Sequence, residues 1–207
     1  MDEAGRIVRN AYDSLASRFD AWAEIQRVHE RREYLETISR ALPPGSTILD
    51  IGCGNGLLEA KRLAELYAVI GVDISERQIR EARKNVKKGT FICQDIRDCA
   101  FPDASFDGIV SFYCFNHIPR ESYASLLLKM KRWLRRNGVV IASFGIGDCE
   151  GWTGEWLGEQ VFFSSDTHGR ITSLFKSSGF NVKEAVIKTD FEDGMEVSFL
   201  WIVAEKE

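Results

Sequence analysis

The stretch Ser46-Thr47-Ile48-Leu49-Asp50-Ile51-Gly52-Cys53-Gly54-Asn55-Gly56 decides the fold of this chain. An apolar run that stops at an acid and passes into three alternating glycines describes a buried strand turning sharply toward a helix. Gly52, Gly54 and Gly56 carry no Cβ, so the turn can take up positive φ and bring backbone N–H groups against a bound molecule. Asp50 sets a negative charge at the end of a core strand. A buried carboxylate needs donors or a cation nearby, on the protein or on a ligand. Dinucleotide sites read G-x-G-x-x-G or A, with the last small residue serving close helix–strand packing. Here that position is Leu57.

Working outward from the turn, Leu57, Leu58, Ala60, Leu63, Ala64 and Leu66 predict a helix, and Val69-Ile70-Gly71-Val72-Asp73 a second short strand ending in an acid. Together they make a βαβ unit. Asp73 ends the strand next to the glycine turn, where a carboxylate can accept from both hydroxyls of a ribose, a need that nicotinamide and methyl-donor sites share. Ser75-Glu76-Arg77-Gln78 is a capping box for the next helix. Thr90 to Cys93 is a third strand leading into Gln94-Asp95-Ile96, and Phe106 to Phe112 a fourth, leading into Tyr113-Cys114-Phe115-Asn116-His117-Ile118-Pro119. A helix from Tyr123 ends at Arg135-Arg136-Asn137-Gly138, with basic residues in its last turn and a glycine stop, before a fifth strand over Val139–Phe144.

Before the first strand, Val8, Tyr12, Leu15 and Phe19 and then Ile25, Val28, Leu35, Ile38 and Leu42 recur at helical spacing, predicting two helices that end at Pro43-Pro44-Gly45. From Gly145 to Ser165 the periodicity breaks around Trp152, Trp156, Phe162 and Phe163, predicting a long aromatic loop that covers a site as a mobile lid. Asp166 caps a final helix. Two strands near Asn181–Ile187 and Glu196–Ala204 join through a turn at Glu192-Asp193-Gly194. The fold expected is α/β: a doubly wound, seven-stranded, mostly parallel sheet with an antiparallel last strand. One domain spans 1–207, divided into an N-terminal helical cap (1–44), a cofactor-binding core (45–144), a lid loop (145–165) and a terminal helix and hairpin (166–207).

The G-x-G-x-G turn preceded by Asp50, the acids Asp73 and Asp95, the F-D-x-V-x-S-like run at Phe106 and the H-x-P at His117 together resemble the class I S-adenosylmethionine-dependent methyltransferases. The phrase Tyr12-Asp13-Ser14-Leu15-Ala16-Ser17-Arg18-Phe19-Asp20 is similar to a Y-D-x-x-A-x-x-Y-D segment that folds over the cofactor in small-molecule members, with Phe19 in place of the second Tyr. The resemblance implies a Rossmann-like fold binding S-adenosylmethionine, with S-adenosylhomocysteine as product. It implies cofactor contacts from Tyr12, Asp50, Gly52, Cys53, Gly54, Asp73, Ile74, Gln78, Asp95, Ile96 and Phe112. In that scheme Asp95 accepts from the adenine amino group while Ile96 packs on the ring edge. Tyr113, Trp156 and Phe163 are expected on the acceptor, and His117 as a general base, since imidazole titrates near neutrality. Base-methylating relatives carry an Asn or Asp with two prolines and an aromatic at the fourth strand end; Ser111-Phe112-Tyr113-Cys114 departs from that pattern.

A net charge of -4, from 27 basic and 31 acidic side chains, offers no general attraction for nucleic acid or an anionic membrane, so a small-molecule acceptor is expected. The N-terminal residues lack the order of a signal peptide and no apolar run suits a membrane span, which predicts a cytoplasmic protein. Five cysteines without a C-x-x-C pair support neither a disulfide framework nor a zinc site, and no metal is expected. His29 and His168 are read as surface residues. A nicotinamide-dependent oxidoreductase and a non-catalytic, cofactor-binding or partner-activating subunit stand as alternatives.

Overall fold

A computed structural model describes residues 1–15, 17–192 and 194–207. Ala16, within the Tyr12–Asp20 phrase, and Asp193, within the expected hairpin turn, lie outside the described residues. The first N-terminal helical region comprises α1 (Glu3–Leu15) and α2 (Ser17–Ala23), and the second is α3 (Val28–Ala41). The core then alternates β1 (Thr47–Ile51), a short α4 (Ala60–Leu63), β2 (Ala68–Asp73), α5 (Glu76–Asn85), β3 (Thr90–Cys93), β4 (Phe106–Ser111), α6 (Tyr123–Trp133) and β5 (Leu134–Gly145). The remaining elements are β6 (Cys149–Trp156), β7 (Glu159–Ser165), α7 (His168–Ser177), β8 (Phe180–Glu192) and β9 (Met195–Lys206).

Seven strands form one sheet in the order β3-β2-β1-β4-β5-β9-β8. The pairs among β1 to β5 are parallel, and β9 runs antiparallel to both β5 and β8, as expected of the last strand. Alternate side chains feed two cores. On one face Leu49, Ile109, Val140 and Phe144 pack with Tyr123, Leu126 and Met130 of α6 and Phe175 of α7. On the other Ile48, Val110, Ile141 and Trp201 pack with Tyr34, Leu35 and Ile38 of α3 and Ile79 and Ala82 of α5. Tyr34 and Trp201 stack with ring centroids 4.0 Å apart. Strand order reverses between β1 and β4, the place where open α/β sheets bind ligands at their C-terminal ends. Among the described residues, no helix is long and apolar enough to cross a membrane.

The largest departure from the sequence expectation is at 145–165. The lid is no loop: β6 and β7 pair as an antiparallel hairpin, in a sheet of their own. Its turn is Leu157-Gly158 with φ of 51° and 82°, the double positive φ of a type I′ turn, for which leucine is a poor signal. Its glycines do not punctuate a loop. A Cβ on Gly154 would stand 1.8 Å from Trp152 Cζ3, and one on Gly151 2.6 Å from the Phe162 ring, so both make room for aromatic rings on a strand.

Three boundaries also move. The helix expected from Leu57 to Leu66 shrinks to α4, because Asn55 Oδ1 accepts from Leu57 N at 2.9 Å and holds a turn in competition with the helix. Helix α6 stops at Trp133, since Leu134 enters the sheet opposite Phe106, and the left-handed position is Asn137 (φ 61°). Thr167 rather than Asp166 caps α7, its hydroxyl accepting from Arg170 N at 3.3 Å. Asp166 is buried and turned to Arg120 and Arg170.

Candidate active site

The C-terminal ends of β1, β2 and β4 open into a cavity of about 530 Å³ closed from outside by α1, α2, the β6–β7 hairpin and the tip of β8–β9. Its sheet side is the glycine turn. Gly52, Gly54 and Gly56 all have positive φ, and a Cβ on Gly52 would stand 2.6 Å from Cys114 Cβ, so only glycine fits there. At Gly54 a Cβ would meet nothing nearer than 3.9 Å, and bare backbone faces the cavity.

Four N–H groups of this turn are bonded inside the protein, contrary to the expectation that they are bare. Gly52 N and Cys53 N donate to Val72 O at 2.8 and 3.1 Å, Gly56 N to Cys53 O at 3.0 Å, and Gly54 N to Asp73 Oδ2 at 2.9 Å. The four-residue α4 begins only at Ala60. A pyrophosphate therefore finds most of the turn's amides taken and no helix opening directly from the turn, unlike a dinucleotide site.

The site is instead acidic. Asp50 is buried beneath the turn rather than on the cavity wall, and its Oδ2 has no partner among the described residues. Burial, with Glu59 and Asp73 adding repulsion, pushes its carboxyl well above the usual range. Asp73 is on the wall, where Oδ1 accepts from Ser75 N at 2.9 Å and Oδ2 from Gly54 N, leaving a lone pair on each oxygen for a ligand. Burial raises its carboxyl to about 6. These features fit a ligand carrying a ribose and a positive charge: two free acceptor positions on an Asp73 carboxylate with no cationic partner among the described residues, and a wall without side chain.

Cys53, Ile74, Ile96 and Phe112 line the same cavity. Burial pushes the Cys53 thiol well up, so it serves as an apolar filler. Gln78 is buried, its Oε1 3.9 Å from where a Cβ on Gly54 would stand, and its backbone N donates to the Ser75 cap at 3.1 Å. Asp95 lines the cavity, but its carboxylate is taken up by Arg97, through N at 2.9 Å, Nε at 3.0 Å and a second guanidinium nitrogen at 2.6 Å. Arg97 also holds Asp2, pinning the start of α1. The expected open acceptor is thus already an ion pair.

Opposite the turn, Tyr12 of α1 reaches His117. Tyr12 Oη and His117 Nε2 are 2.9 Å apart, and His117 Nδ1 is 2.9 Å from Phe162 O. A carbonyl can only accept, so Nδ1 carries the proton and Nε2 presents a lone pair to the Tyr12 hydroxyl. Burial lowers His117 to about 4, which keeps the imidazole neutral. Phe163 lies 5.1 Å from His117, and Trp156 packs on Tyr12, Phe19, Trp22 and Phe163. Arg18 of α2 donates to Leu157 O at 2.9 Å and Glu159 Oε1 at 2.7 Å, tying the helical cap to the hairpin. Asp13 accepts from Ser75 Oγ at 2.6 Å, tying the cap to α5. His29 and His168 are exposed.

Tyr113 is on the wall with φ of 57°, a costly conformation for a bulky residue and one that clusters at functional sites. Its hydroxyl donates to Glu30 Oε2 at 2.6 Å, so it offers the cavity a ring and no free hydroxyl. Sequence reasoning missed what surrounds it. Arg27 and Arg31 of the α3 region lie over this ring, 5.6 and 4.5 Å from its centroid. Arg27 pairs with Glu192 and donates to Val197 O at 2.6 Å; Arg31 pairs with Glu59. Glu30, three residues on, also pairs with Arg27 at 3.2 Å, but the other partners lie up to 170 positions apart in sequence, and no local pattern announces those.

A family model described as a methyltransferase domain matches residues 48–138. The demethylmenaquinone methyltransferase of Symbiobacterium thermophilum is 30% identical over 151 residues, covering 68% of this chain and 59% of that protein, so the match spans less than two thirds of that relative. The demethylmenaquinone methyltransferase of Thermotoga maritima is 26% identical over 204 residues, 91% of this chain and 87% of that protein. The solved structure of Burkholderia thailandensis 1,6-didemethyltoxoflavin-N1-methyltransferase, with 1,6-didemethyltoxoflavin and S-adenosylhomocysteine bound, has a TM-score of 0.74 at 18% identity. It covers 99% of this chain and 89% of that one. At that identity the likeness speaks for the fold, while the glycine turn, the two acids and the matched family model speak for the site. The chain belongs to the class I S-adenosylmethionine-dependent methyltransferase family.

Proposed function

We propose that this chain transfers the methyl group of S-adenosylmethionine to a small-molecule acceptor in the cavity between the glycine turn and His117. The observation that carries this reading is the facing of two unlike halves across one cavity, with Asp73 and Gly54 on one side and a neutral, tautomer-fixed imidazole on the other. The bound donor supplies a methyl group activated by its sulfonium. Asp73 would hold the ribose hydroxyls, Ile74 and Ile96 the adenine faces, and Gly52, Gly54 and Phe112 the methionyl end. The aromatic cover excludes water and sets the direction of approach, and such positioning can contribute about 7 to 11 kcal/mol.

An O–H or N–H acceptor must also lose a proton. Tyr12 Oη can take it while passing its own proton to His117 Nε2, with Nδ1–H held on Phe162 O throughout. Relatives named for a quinone and a heterocycle support a small acceptor, as do acidic and aromatic walls that suit no phosphate backbone. We read its place as cytoplasmic on the five unpaired cysteines. Incubation with a radiolabelled methyl donor and a fractionated metabolite extract tests the reading: label recovered in small molecules supports it, and label in RNA or DNA alone overturns it.

A further inference from the structure

Trp152 lines the cavity, yet is 53% exposed. A large aromatic left half in water on a strand beside a cavity mouth is poorly explained by packing. Its placement is built. The indole stacks on the cross-strand partner Phe163, centroids 5.2 Å apart and planes 27° from parallel, and crosses Gly154 so closely that a Cβ there would overlap it. Phe163 in turn lies 5.1 Å from the buried His117 ring. The three rings make a stepped aromatic surface running from solvent to the imidazole.

Two buried polar atoms of cavity-lining residues have no partner among the described residues. Asn116 Oδ1 belongs to a cavity-lining side chain that is 9% exposed, and its amide nitrogen is turned to His117 Nε2 at 3.3 Å. Trp22 Nε1 is a buried donor on the outer wall. Each costs about 1 to 3 kcal/mol, and both atoms are closed to a water-sized molecule, so a ligand recovers that cost only where these side chains turn toward it.

We propose, building on the methyltransferase reading above, that the acceptor is a planar aromatic or heteroaromatic compound with a protic O–H or N–H, guided in on Trp152 and Phe163 with its protic group turned to the Tyr12–His117 pair. Trp152 is then a specificity-determining residue at the mouth. A flat ring gains stacking on the stepped surface that a saturated ring of equal size does not.

The test is calorimetry on the full chain, first loaded with S-adenosylhomocysteine, titrated with 2-naphthol, with its saturated counterpart decahydro-2-naphthol and with 2-methoxynaphthalene. The expected result is 2-naphthol tightest, by roughly tenfold over the saturated alcohol and roughly fivefold over the ether. Trp152→Ala should reduce the first preference to about threefold or less, Trp152→Phe should keep most of it, and S-adenosylhomocysteine affinity should be the same in all three proteins. Equal or tighter binding of the saturated alcohol, a preference untouched by Trp152→Ala, or no binding of any of the three compounds to the loaded protein overturns the proposal. Failure of S-adenosylhomocysteine itself to bind overturns the methyltransferase reading, and this proposal with it, at the loading step.

Discussion

The donor half of the cavity is assembled from neighbouring strand ends, whereas its acceptor half is gathered from segments far apart. Asp73 meets Gly54 across 19 positions, but Tyr12 meets His117 across 105 and Arg18 meets Glu159 across 141. In the first half, backbone geometry is fixed by positive-φ glycines, by the sheet register and by buried carboxylates. In the second, rings and ion pairs on the helical cap and the hairpin are held by a few side-chain ties. The acceptor half should therefore be separable by single substitutions that leave donor affinity intact.

The largest separation is expected at His117. His117→Ala should lower turnover by about a hundredfold to ten-thousandfold with little change in S-adenosylhomocysteine affinity. Because the ring also bonds Tyr12 and Phe162 O, His117→Gln serves as the folding control and should remain slow. Equal losses of turnover and donor affinity would show that the halves are not independent. On the other side, Asp73→Ala should weaken S-adenosylhomocysteine binding by about 1.5 to 3 kcal/mol, measured by calorimetry, with the fold intact by circular dichroism.

The pH dependence should divide the same way. The Asp73 pKa of about 6 lies above its ordinary 3.8, so its ionised form is disfavoured in the ligand-free fold. What Asp73 contributes to stability is then greatest at low pH and declines as pH rises through about 6. Ligand hydroxyls need the carboxylate, so donor affinity should be flat above about pH 6 and fall toward tenfold per unit below it, and Asp73→Asn should abolish that slope. His117, lowered to about 4, is already neutral through that range and adds no limb near its ordinary pKa of 6.5. The smallest effect is predicted at Arg18, which is half exposed. Arg18→Ala should raise the acceptor KM a few-fold, corresponding to no more than about 1 kcal/mol, with donor affinity unchanged.

This division also tracks what the sequence made legible. The glycine turn and Asp73 announce themselves because φ, strand alternation and chain reversal are local constraints. The β6–β7 hairpin stayed hidden because Leu157-Gly158 is an unusual pair for its turn and because Gly151 and Gly154 look like loop residues until Phe162 and Trp152 are seen to fill the space above them. Arg97, two residues from Asp95, was in plain view as a partner for that carboxylate. Asp2, which fixes the same guanidinium, was not. The burial of Arg27 and Arg31 was invisible for the same reason: Glu30 is a local partner of Arg27, but the other acids that make burial tolerable come from β8 and from the segment before α4.

A donor half built for a ribose on a cationic donor, and not for a dinucleotide pyrophosphate, should tell these ligands apart. Calorimetric titration of the intact chain with S-adenosylhomocysteine, S-adenosylmethionine and NAD tests it most directly. Saturable heat from the first two and none from NAD is the predicted result. Saturable heat from NAD, with none from either sulfur compound, would contradict it.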